Sequence, residues 1–272
     1  MDRKRQLVMY LHGGSGNHGC EAIVNGTCRM TEGIPKLLVT NSEEEDRFYS
    51  LAPLCDILQE NKIAEHFFAH VWYYVWRAVF HDPESFMRYR FRRVLGKKLQ
   101  PLYVSVGGDM YCYDISKKEA ILANRTFCKA GAKTVLWGCS IEPELLKEPE
   151  MVEDMKRYAL ITPRESITEK ALRDAGIVEN VKYFPDPAFF LQPEETELPE
   201  GFVADRTIGI NVSPMIVRHE KVEGITVENY RRLIDHILAC VLAPIKALHF
   251  EITYFNFRQD ISGNRTTLSF FS

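Results

Sequence analysis

The stretch that most constrains the fold runs from Leu7 to Met30. It begins with an apolar run at 7–11, continues through a glycine-rich turn, and ends with apolar residues at three- and four-residue spacing. These patterns predict a β-strand, a glycine loop and an α-helix in that order, which is the first half of a βαβ unit. Glycines open backbone conformations closed to other residues, and they let a ligand approach the N–H groups of a helix N-terminus, which favours anions.

The glycine loop departs from both well-known phosphate-binding loops. No Lys-Ser or Lys-Thr pair follows the glycines, so the loop is not a P-loop, and the glycine spacing is not that of the Rossmann fingerprint. From the residues alone, a structural tight turn and a binding loop remain open alternatives. Asn17 is the expected N-cap of the following helix, and Glu21 lies in its first turn, where a carboxylate is favoured.

A second pair of glycines follows another apolar strand. The apolar residues 102–106 are followed by Gly107, Gly108 and Asp109. Ligands of open α/β sheets gather at the carboxyl ends of the strands, so we expect the two glycine loops at one edge of the sheet. Asp109 can bind a sugar hydroxyl or act as a base there, and a helix cap is the alternative.

Arg164 stands between a short strand and a helix. A guanidinium in this position can clamp a phosphate or a carboxylate with two parallel hydrogen bonds. An ion pair with Glu165 or Glu169 is the alternative. Ser166 is the expected N-cap of the helix.

Asp186 lies between two prolines, which restrict the backbone around it. This suits either a fixed carboxylate at a domain edge or a structural turn. A linker rich in Pro and Glu follows at 192–205 and predicts a domain at 1–195 and a second one at 206–272. The second domain shows about one strand and one helix, too little to close its own core, and its tail at 239–272 has no recognisable pattern.

Residues 66–98 combine aromatic and basic side chains. The apolar part is too short to span a bilayer. One interpretation is a helix at a membrane interface, and another is a surface that approaches a lipid-linked or acidic substrate. The third is a helical insertion that packs its aromatic residues on the sheet and leaves its basic residues in water.

Net charge and cysteine usage argue against several classes of function and site. The net charge of −3 gives no indication of a nucleic-acid partner, and the seven cysteines form no C-x-x-C pair, so neither a zinc site nor a redox motif is expected. We predict no metal site and reduced thiols in a cytoplasmic protein. The acidic run at 41–46 is assigned no role beyond solvated surface.

Together, several motifs resemble the polysaccharide pyruvyl transferase family. They are GGSGNHGCEA at 13–22, VGGD at 106–109, PRESITEKALRDAG at 163–176, YFPDPAFFL at 183–191 and IGINVSP at 208–214. The likeness covers about residues 7–238. It implies an α/β fold, a Rossmann-like open parallel sheet with helices on both faces, as the N-terminal domain of a GT-B-like pair with its site between domains. The implied chemistry transfers the enolpyruvyl unit of phosphoenolpyruvate to two sugar hydroxyls and leaves a pyruvate ketal, as in cell-surface polysaccharide biosynthesis.

The resemblance implies that Arg164 holds an anion of the donor and that the loop at 15–19 contacts the acceptor or the donor. A general acid must protonate the alkene carbon, and a base must take the hydroxyl proton. His18 is the nearest titratable candidate, although a capping histidine is the alternative, and Asp109 is the second predicted catalytic residue. The predicted substrate contacts are Ser15, Gly16, Asn17, Gly108, Arg164, Ser166 and Asp186. Phosphoenolpyruvate serves as a substrate, so no cofactor is expected.

The sequence departs from the family late in the chain. Family members carry a Gly-x-Arg-x-His motif in a longer second domain, and no such motif occurs here. We therefore expect a truncated chain with weak phosphoenolpyruvate binding and little or no turnover. The alternatives are a nucleotide-sugar glycosyltransferase of the GT-B type, which the missing nucleotide fingerprint disfavours, and a non-catalytic saccharide-binding remnant. A lipid-linked saccharide is one form of the expected acceptor, and the sequence does not predict an oligomeric state.

Overall fold

The computed structural model describes most of the first 193 residues and a few short stretches beyond them. The described residues are 6–49, 51–62, 67–82, 84–96, 100–112, 114–193, 198, 202–203, 232, 235–236, 254–259 and 265–270. The chain divides into two compact units, residues 1–193 and 194–272. This division falls inside the predicted linker, and the two-domain assignment itself stays a prediction.

The first unit is built on one parallel sheet. Its strands are β1 (Leu7–His12), β2 (Lys36–Thr40), β3 (Asp56–Gln59), β4 (Leu102–Ser105), β5 (Thr134–Cys139) and β6 (Leu160–Pro163). Its helices are α1 (His18–Met30), α2 (Glu43–Phe48), α3 (Phe67–Phe80), α4 (Ser85–Arg90), α5 (Asp114–Lys129), α6 (Pro149–Arg157) and α7 (Ser166–Asp174). Two short 3-10 helices lie at Pro143–Lys147 and Pro187–Phe190.

The strand order is β3-β2-β1-β4-β5-β6, and every pair is parallel. The chain winds outward from β1 in one direction and from β4 in the other, so the order reverses between these two strands. Ligands of such sheets bind outside the carboxyl ends of the strands at this reversal. The arrangement confirms the predicted Rossmann-like α/β fold.

The core fills both faces of the sheet because successive strand residues point to opposite sides. Val8 and Tyr10 of β1 belong to a buried cluster that includes residues of α4, α5 and α6. Leu7 and Met9 belong to a second cluster with residues of α1. The prediction of helices on both faces is therefore confirmed for the first unit.

The start of α1 agrees with its sequence pattern, and the start of α7 does not. Asn17 caps α1, and its side chain accepts a hydrogen bond of 3.0 Å from the Gly19 N–H. The expected cap of α7 was wrong: Ser166 is its first helical residue, and the carboxylate of Glu165 accepts from the Thr168 N–H at 3.0 Å. Glu165 has the extended backbone that a cap needs.

Helix α1 packs closely on the 3-10 helix that follows Asp186. A β-carbon on Gly26 would lie only 2.0 Å from the backbone oxygen of Pro187. On its other side, Pro187 meets Gly138 of β5, where a β-carbon would lie 2.7 Å from the proline ring. The two glycines therefore let this segment approach both the helix and the sheet.

The exposure of helix α3 contradicts the interpretation that the aromatic segment packs its aromatic residues on the sheet. Tyr73 contacts Phe86 of α4, with ring centroids 5.9 Å apart. However, Val71, Tyr74 and Val79 are exposed, the last to 61%. The described aromatic and apolar side chains of α3 are thus not all packed on the sheet. None of the helices in the described part of the chain is long and apolar enough to cross a membrane.

The second unit is described chiefly by a hairpin. Strands β7 (Tyr254–Gln259) and β8 (Arg265–Phe270) pair antiparallel, with Tyr254 opposite Phe270 and Gln259 opposite Arg265. This hairpin lies in the tail for which the sequence showed no pattern. The predicted strand at 207–213 lies outside the described residues, and the helix predicted at 230–238 is described only at residues 232, 235 and 236.

Candidate functional site

The candidate site lies at the carboxyl edge of the sheet, where the strand order reverses. The loop at 13–17 follows β1, and the loop at 106–109 follows β4. Ser140 follows β5, and Arg164 follows β6. The parallel pairing of all these strands brings the four segments to one edge.

Arg164 joins three of these segments through its guanidinium. Its Nε donates to Ser140 Oγ at 2.8 Å, its Nη1 donates to Asp186 Oδ2 at 3.0 Å, and its Nη2 donates to Asp109 Oδ1. These bonds use one N–H on each nitrogen, so the guanidinium retains further donors. The side chain is 24% exposed, and therefore a ligand in solution can reach it.

The electrostatic surroundings of Arg164 are acidic. Burial opposes its charge, but Asp109 and Asp186 outweigh burial and raise the pKa of the guanidinium above its ordinary value. The ion pairs with Glu165 or Glu169, which were the alternative to ligand binding, are not the ones observed. Glu165 caps α7, and Glu169 pairs with Arg173 at 2.9 Å.

Gly108 makes room for this guanidinium. A β-carbon there would lie 2.7 Å from Arg164 Nη1 and 3.2 Å from Ile23 Cδ1 of α1. The same contact places the start of α1 beside Arg164, since Ile23 lies in its second turn. The second glycine loop, Ile23 of α1 and the predicted arginine therefore meet around one point of the edge.

Asp186 combines its two predicted interpretations. Its Oδ1 accepts from the Ala188 N–H at 2.9 Å and so caps the 3-10 helix, while its Oδ2 accepts from Arg164. It is thus both a turn residue and a fixed carboxylate. Asp109 is held by fewer bonds and its side chain is 56% exposed.

Carboxylates of α2 accept hydrogen bonds from the first glycine loop. Asp46 Oδ1 accepts from the Ser15 N–H at 2.9 Å and from the Ser15 hydroxyl at 2.7 Å, and Glu45 Oε2 accepts from the Gly16 N–H at 2.9 Å. We had assigned the acidic run at 41–46 no role beyond solvated surface, and this interpretation was wrong. Two loop N–H groups that we predicted for a ligand bind the protein's own carboxylates instead.

The Asp46 carboxylate is fully buried and also lies 2.9 Å from His12 Nε2. Burial raises its pKa, but hydrogen bonds from His12, Thr40 and Ser15 outweigh that effect and leave the pKa below its ordinary value. Asp46 is therefore ionised at neutral pH. It adds a fixed negative charge beneath the loop.

His18 and Ser166 lie in less constrained positions. His18 is the first residue of α1, so it is not the cap, and its Nδ1 lies 2.8 Å from Glu21 Oε2. Its ring meets Tyr49 edge to face at 5.1 Å. Ser166 is exposed at the start of α7. Their predicted catalytic and binding roles stay predictions.

Sequence reasoning missed Ser140 and two thiols near the guanidinium. Cys112 Sγ lies 3.5 Å from the Ser140 carbonyl oxygen. Burial and then Asp109 raise the pKa of both Cys20 and Cys112, while Arg164 lowers it, so both thiols stand in the field of this cluster. The strand-end rule that selected Arg164 would also have selected Ser140. Among the described residues, no group of His, Cys, Asp or Glu has the arrangement of a metal site.

Comparison with protein families identifies a match. The family model described as polysaccharide pyruvyl transferase matches residues 52–265. The matched range begins after the first glycine loop and includes 239–265, where we had expected no likeness to the family. A comparison with curated proteins gives no match.

The similar solved structures include Anabaena HepE and the galactosyltransferase WaaB. Anabaena HepE in complex with UDP aligns with a TM-score of 0.36 and 11% identity, over 67% of this chain and 44% of that one. The lipopolysaccharide outer core galactosyltransferase WaaB in its apo form aligns with a TM-score of 0.40 and 10% identity, over 66% of this chain and 45% of that one. The matched part is less than half of either solved chain.

Proposed function

The chain belongs to the polysaccharide pyruvyl transferase family, and we propose that it transfers the enolpyruvyl unit of phosphoenolpyruvate to a saccharide. One sugar hydroxyl adds to the central carbon of the donor while the alkene carbon gains a proton. A second hydroxyl then displaces phosphate from the same carbon. The products are a pyruvate ketal and inorganic phosphate.

The observation that carries this proposal is the position of the Arg164 guanidinium beside Gly108 and Asp109, which follow β4 at the reversal of the sheet. Phosphoenolpyruvate bears a carboxylate and a phosphate, and a guanidinium binds either group through parallel hydrogen bonds. The pKa of Arg164 is raised, so it is a permanent cation. Gly108 has no side chain that would crowd this guanidinium.

Asp109 is the partner of Arg164 that a donor anion can replace. It is more than half exposed, whereas Asp186 is also fixed by the Ala188 N–H. A donor anion that binds Arg164 therefore displaces Asp109 rather than Asp186. The released carboxylate is then available to accept the proton of a sugar hydroxyl, which is the role of a general base.

The first glycine loop fits the acceptor better than the donor. Its Ser15 and Gly16 N–H groups already bind Asp46 and Glu45, and both carboxylates repel a second anion. A neutral saccharide with hydroxyl donors is compatible with these acceptors. His18, exposed at the start of α1, is the candidate proton donor to the alkene carbon.

Binding of phosphoenolpyruvate, measured by isothermal titration calorimetry, tests the donor assignment. Arg164→Gln is expected to weaken binding by at least about tenfold, as loss of a charged hydrogen-bonding partner costs about 1.5–3 kcal/mol. Arg173→Gln is the matched control, because Arg173 is an exposed arginine of α7 paired with Glu169. Unchanged binding in Arg164→Gln, or stabilisation by UDP-sugars but not by phosphoenolpyruvate, contradicts the proposal.

Asp109→Asn tests the exchange of partners. The variant lacks the charge that competes for Arg164, so it is expected to bind phosphoenolpyruvate at least as tightly as the unaltered chain. The rate of ketal formation is expected to fall at least about a hundredfold because the base is lost. The rate is measured as release of phosphate in the presence of saccharide acceptors. Weaker donor binding in this variant would show that Asp109 contacts the donor directly, and unchanged ketal formation would exclude it as the base.

A further inference from the structure

Two thiols meet at the amino edge of the sheet, on the opposite side from the candidate site. Cys28 lies near the end of α1, and Cys55 directly precedes β3. Their side chains are hydrogen-bonded to each other, and both belong to the buried cluster that α1 shares with the sheet. Both are free thiols. They are far apart in the sequence, so the spacing rules for cysteine pairs do not select them.

A buried ammonium lies beside this pair. The parallel register pairs Leu37 with Asp56. Lys36 and Cys55 precede these two residues and are therefore neighbours at the ends of adjacent strands. Lys36 is 8% exposed, its Nζ donates to the Ile34 backbone oxygen at 2.8 Å, and no carboxylate of the described residues forms an ion pair with it. A buried cation is costly without an anion, so this corner of the fold favours a thiolate.

The surroundings distinguish the two thiols. The hydrogen bond from Cys55 lowers the pKa of the Cys28 thiol below its ordinary value, while burial opposes this effect and the Lys36 ammonium adds to it. The pKa of Cys55 is raised, first because its proton is held by Cys28 and then because the side chain is buried. The thiolate is the nucleophilic form of cysteine. Cys28 is therefore the thiol that reacts first, and Cys55 is placed to react with the product.

We propose that Cys28 and Cys55 are an oxidation site at which a small peroxide, such as hydrogen peroxide, produces a reversible disulfide. The Cys28 thiolate attacks one peroxide oxygen and breaks the O–O bond, which gives a sulfenic acid and, after protonation of the leaving hydroxide, water. The Cys55 sulfur then displaces hydroxide from the Cys28 sulfur. The proton of Cys55 leaves with that hydroxide as a second water, and the S–S bond forms. The two sulfurs are oxidised and the peroxide is reduced.

Burial decides which oxidant fits this pair. Cys28 and Cys55 are 4% and 9% exposed, which disfavours a bulky disulfide such as oxidised glutathione. Arg29, Ala52 and Pro53 beside them are exposed, so the pair lies just beneath the surface, within reach of a small molecule. The new bond would close a loop that contains β2 and α2, the helix whose carboxylates bind the first glycine loop. The inference does not depend on the proposed transferase reaction.

Peptide mapping of the full chain tests this inference. The reduced protein is treated with hydrogen peroxide, free thiols are blocked with iodoacetamide, and trypsin digestion is followed by mass spectrometry with fragmentation. The expected product joins Cys28 in the peptide 6–29 to Cys55 in the peptide 48–62, and dithiothreitol separates the two peptides. The oxidised form is expected to unfold about 5 °C or more above the reduced form, because the bond restricts the unfolded chain.

Substitutions identify the groups that take part. Cys28→Ser and Cys55→Ser are each expected to abolish the link, whereas Cys128→Ser, in α5, is expected to retain it. Lys36→Met is expected to slow formation of the link several-fold, because the thiolate loses its neighbouring cation. Lys133→Met is the matched control, since it removes an exposed lysine that directly precedes β5 at the same edge, and it is expected to leave the rate unchanged.

Circular dichroism checks that every variant folds. Absence of the link in the unaltered chain, a link that forms equally fast in concentrated urea, or sulfinic acid at Cys28 with an unreacted Cys55 overturns the proposal. An oxidised form that unfolds below the reduced form would contradict a disulfide that fits the native fold. Equal rates for Lys36→Met and Lys133→Met would overturn the role assigned to the buried ammonium.

Discussion

The two glycine loops at the sheet edge are similar in sequence and opposite in charge environment. The loop after β1 binds the carboxylates of Glu45 and Asp46 through its N–H groups. The loop after β4 leaves space over Gly108 that the guanidinium of Arg164 fills. Glycine permits close approach in both places, but the approaching group is an anion in one and a cation in the other. A glycine loop therefore indicates proximity, and the neighbouring side chains decide which ligand it can take.

Removal of Asp46 is expected to produce the largest effect on stability. Asp46→Ala leaves His12 and the Ser15 N–H buried without their acceptor, which is expected to lower the free energy of unfolding by about 3 kcal/mol. Asp109→Ala, the counterpart in the other loop, is expected to cost less than about 1 kcal/mol because its ion pair is exposed. Urea unfolding measures both, and equal losses would mean that the loops are held in the same way.

Gly14→Ala is expected to have the next largest effect. Gly14 has a backbone φ of +111°, and a β-carbon there would lie 2.5 Å from Glu45 Oε2. A loss of about 2 kcal/mol is expected from backbone strain and displacement of Glu45. Gly13→Ala is the matched control, since no atom lies within 4 Å of its β-carbon position. Thermal unfolding distinguishes the two, and a neutral Gly14→Ala variant would show that the loop can rearrange.

Gly108→Ala is expected to alter binding more than folding. The nearest atom to its β-carbon position is the flexible end of Arg164, which can move aside. The free energy of unfolding is therefore expected to change by less than about 1 kcal/mol, whereas affinity for phosphoenolpyruvate is expected to fall about tenfold, equivalent to about 1.4 kcal/mol. Scanning calorimetry without the donor measures the change in the free energy of unfolding, and titration calorimetry with phosphoenolpyruvate measures the change in affinity. A large loss of stability with unaltered affinity would reverse the assignment.

The smallest effect concerns acid stability. The pKa of Asp46 is below its ordinary value of 3.8, so its ionised form stabilises the fold above that value. This stabilisation is expected to disappear as pH falls through the lowered pKa, because the unfolded chain binds the proton first. Asp46→Asn, which has no charge to lose, is expected to show a smaller decrease of stability over the same acid range in urea titrations. Parallel curves for both proteins would exclude Asp46 as the source.

Local patterns predicted the parts of the fold that depend on local chemistry. The apolar run of β1, the glycines after it and the cap at Asn17 were all found from the sequence. The position of Arg164 at a strand end also followed from the α/β order. By contrast, β3 was not predicted, because its residues Asp56–Gln59 begin and end with polar side chains.

Partner choice across the chain was the part that the sequence did not reveal. Asp46 is hydrogen-bonded to Ser15, 31 residues away in the sequence, and Arg164 is hydrogen-bonded to Asp109, 55 residues away. No local pattern distinguishes such partners from other carboxylates on nearby helices. The exposure of α3 was left open for a related reason, since an aromatic helix has the same periodicity whether its apolar face meets a core or an external surface.

Pro187 has a consequence for how the site responds to events outside it. It is wedged between Gly26 of α1 and Gly138 of β5, directly after the carboxylate that fixes Arg164. The chain continues from this wedge to the end of the first unit at residue 193. A displacement of this proline would therefore disturb the packing of the helix, the packing of the sheet and the carboxylate that holds the arginine at the same time.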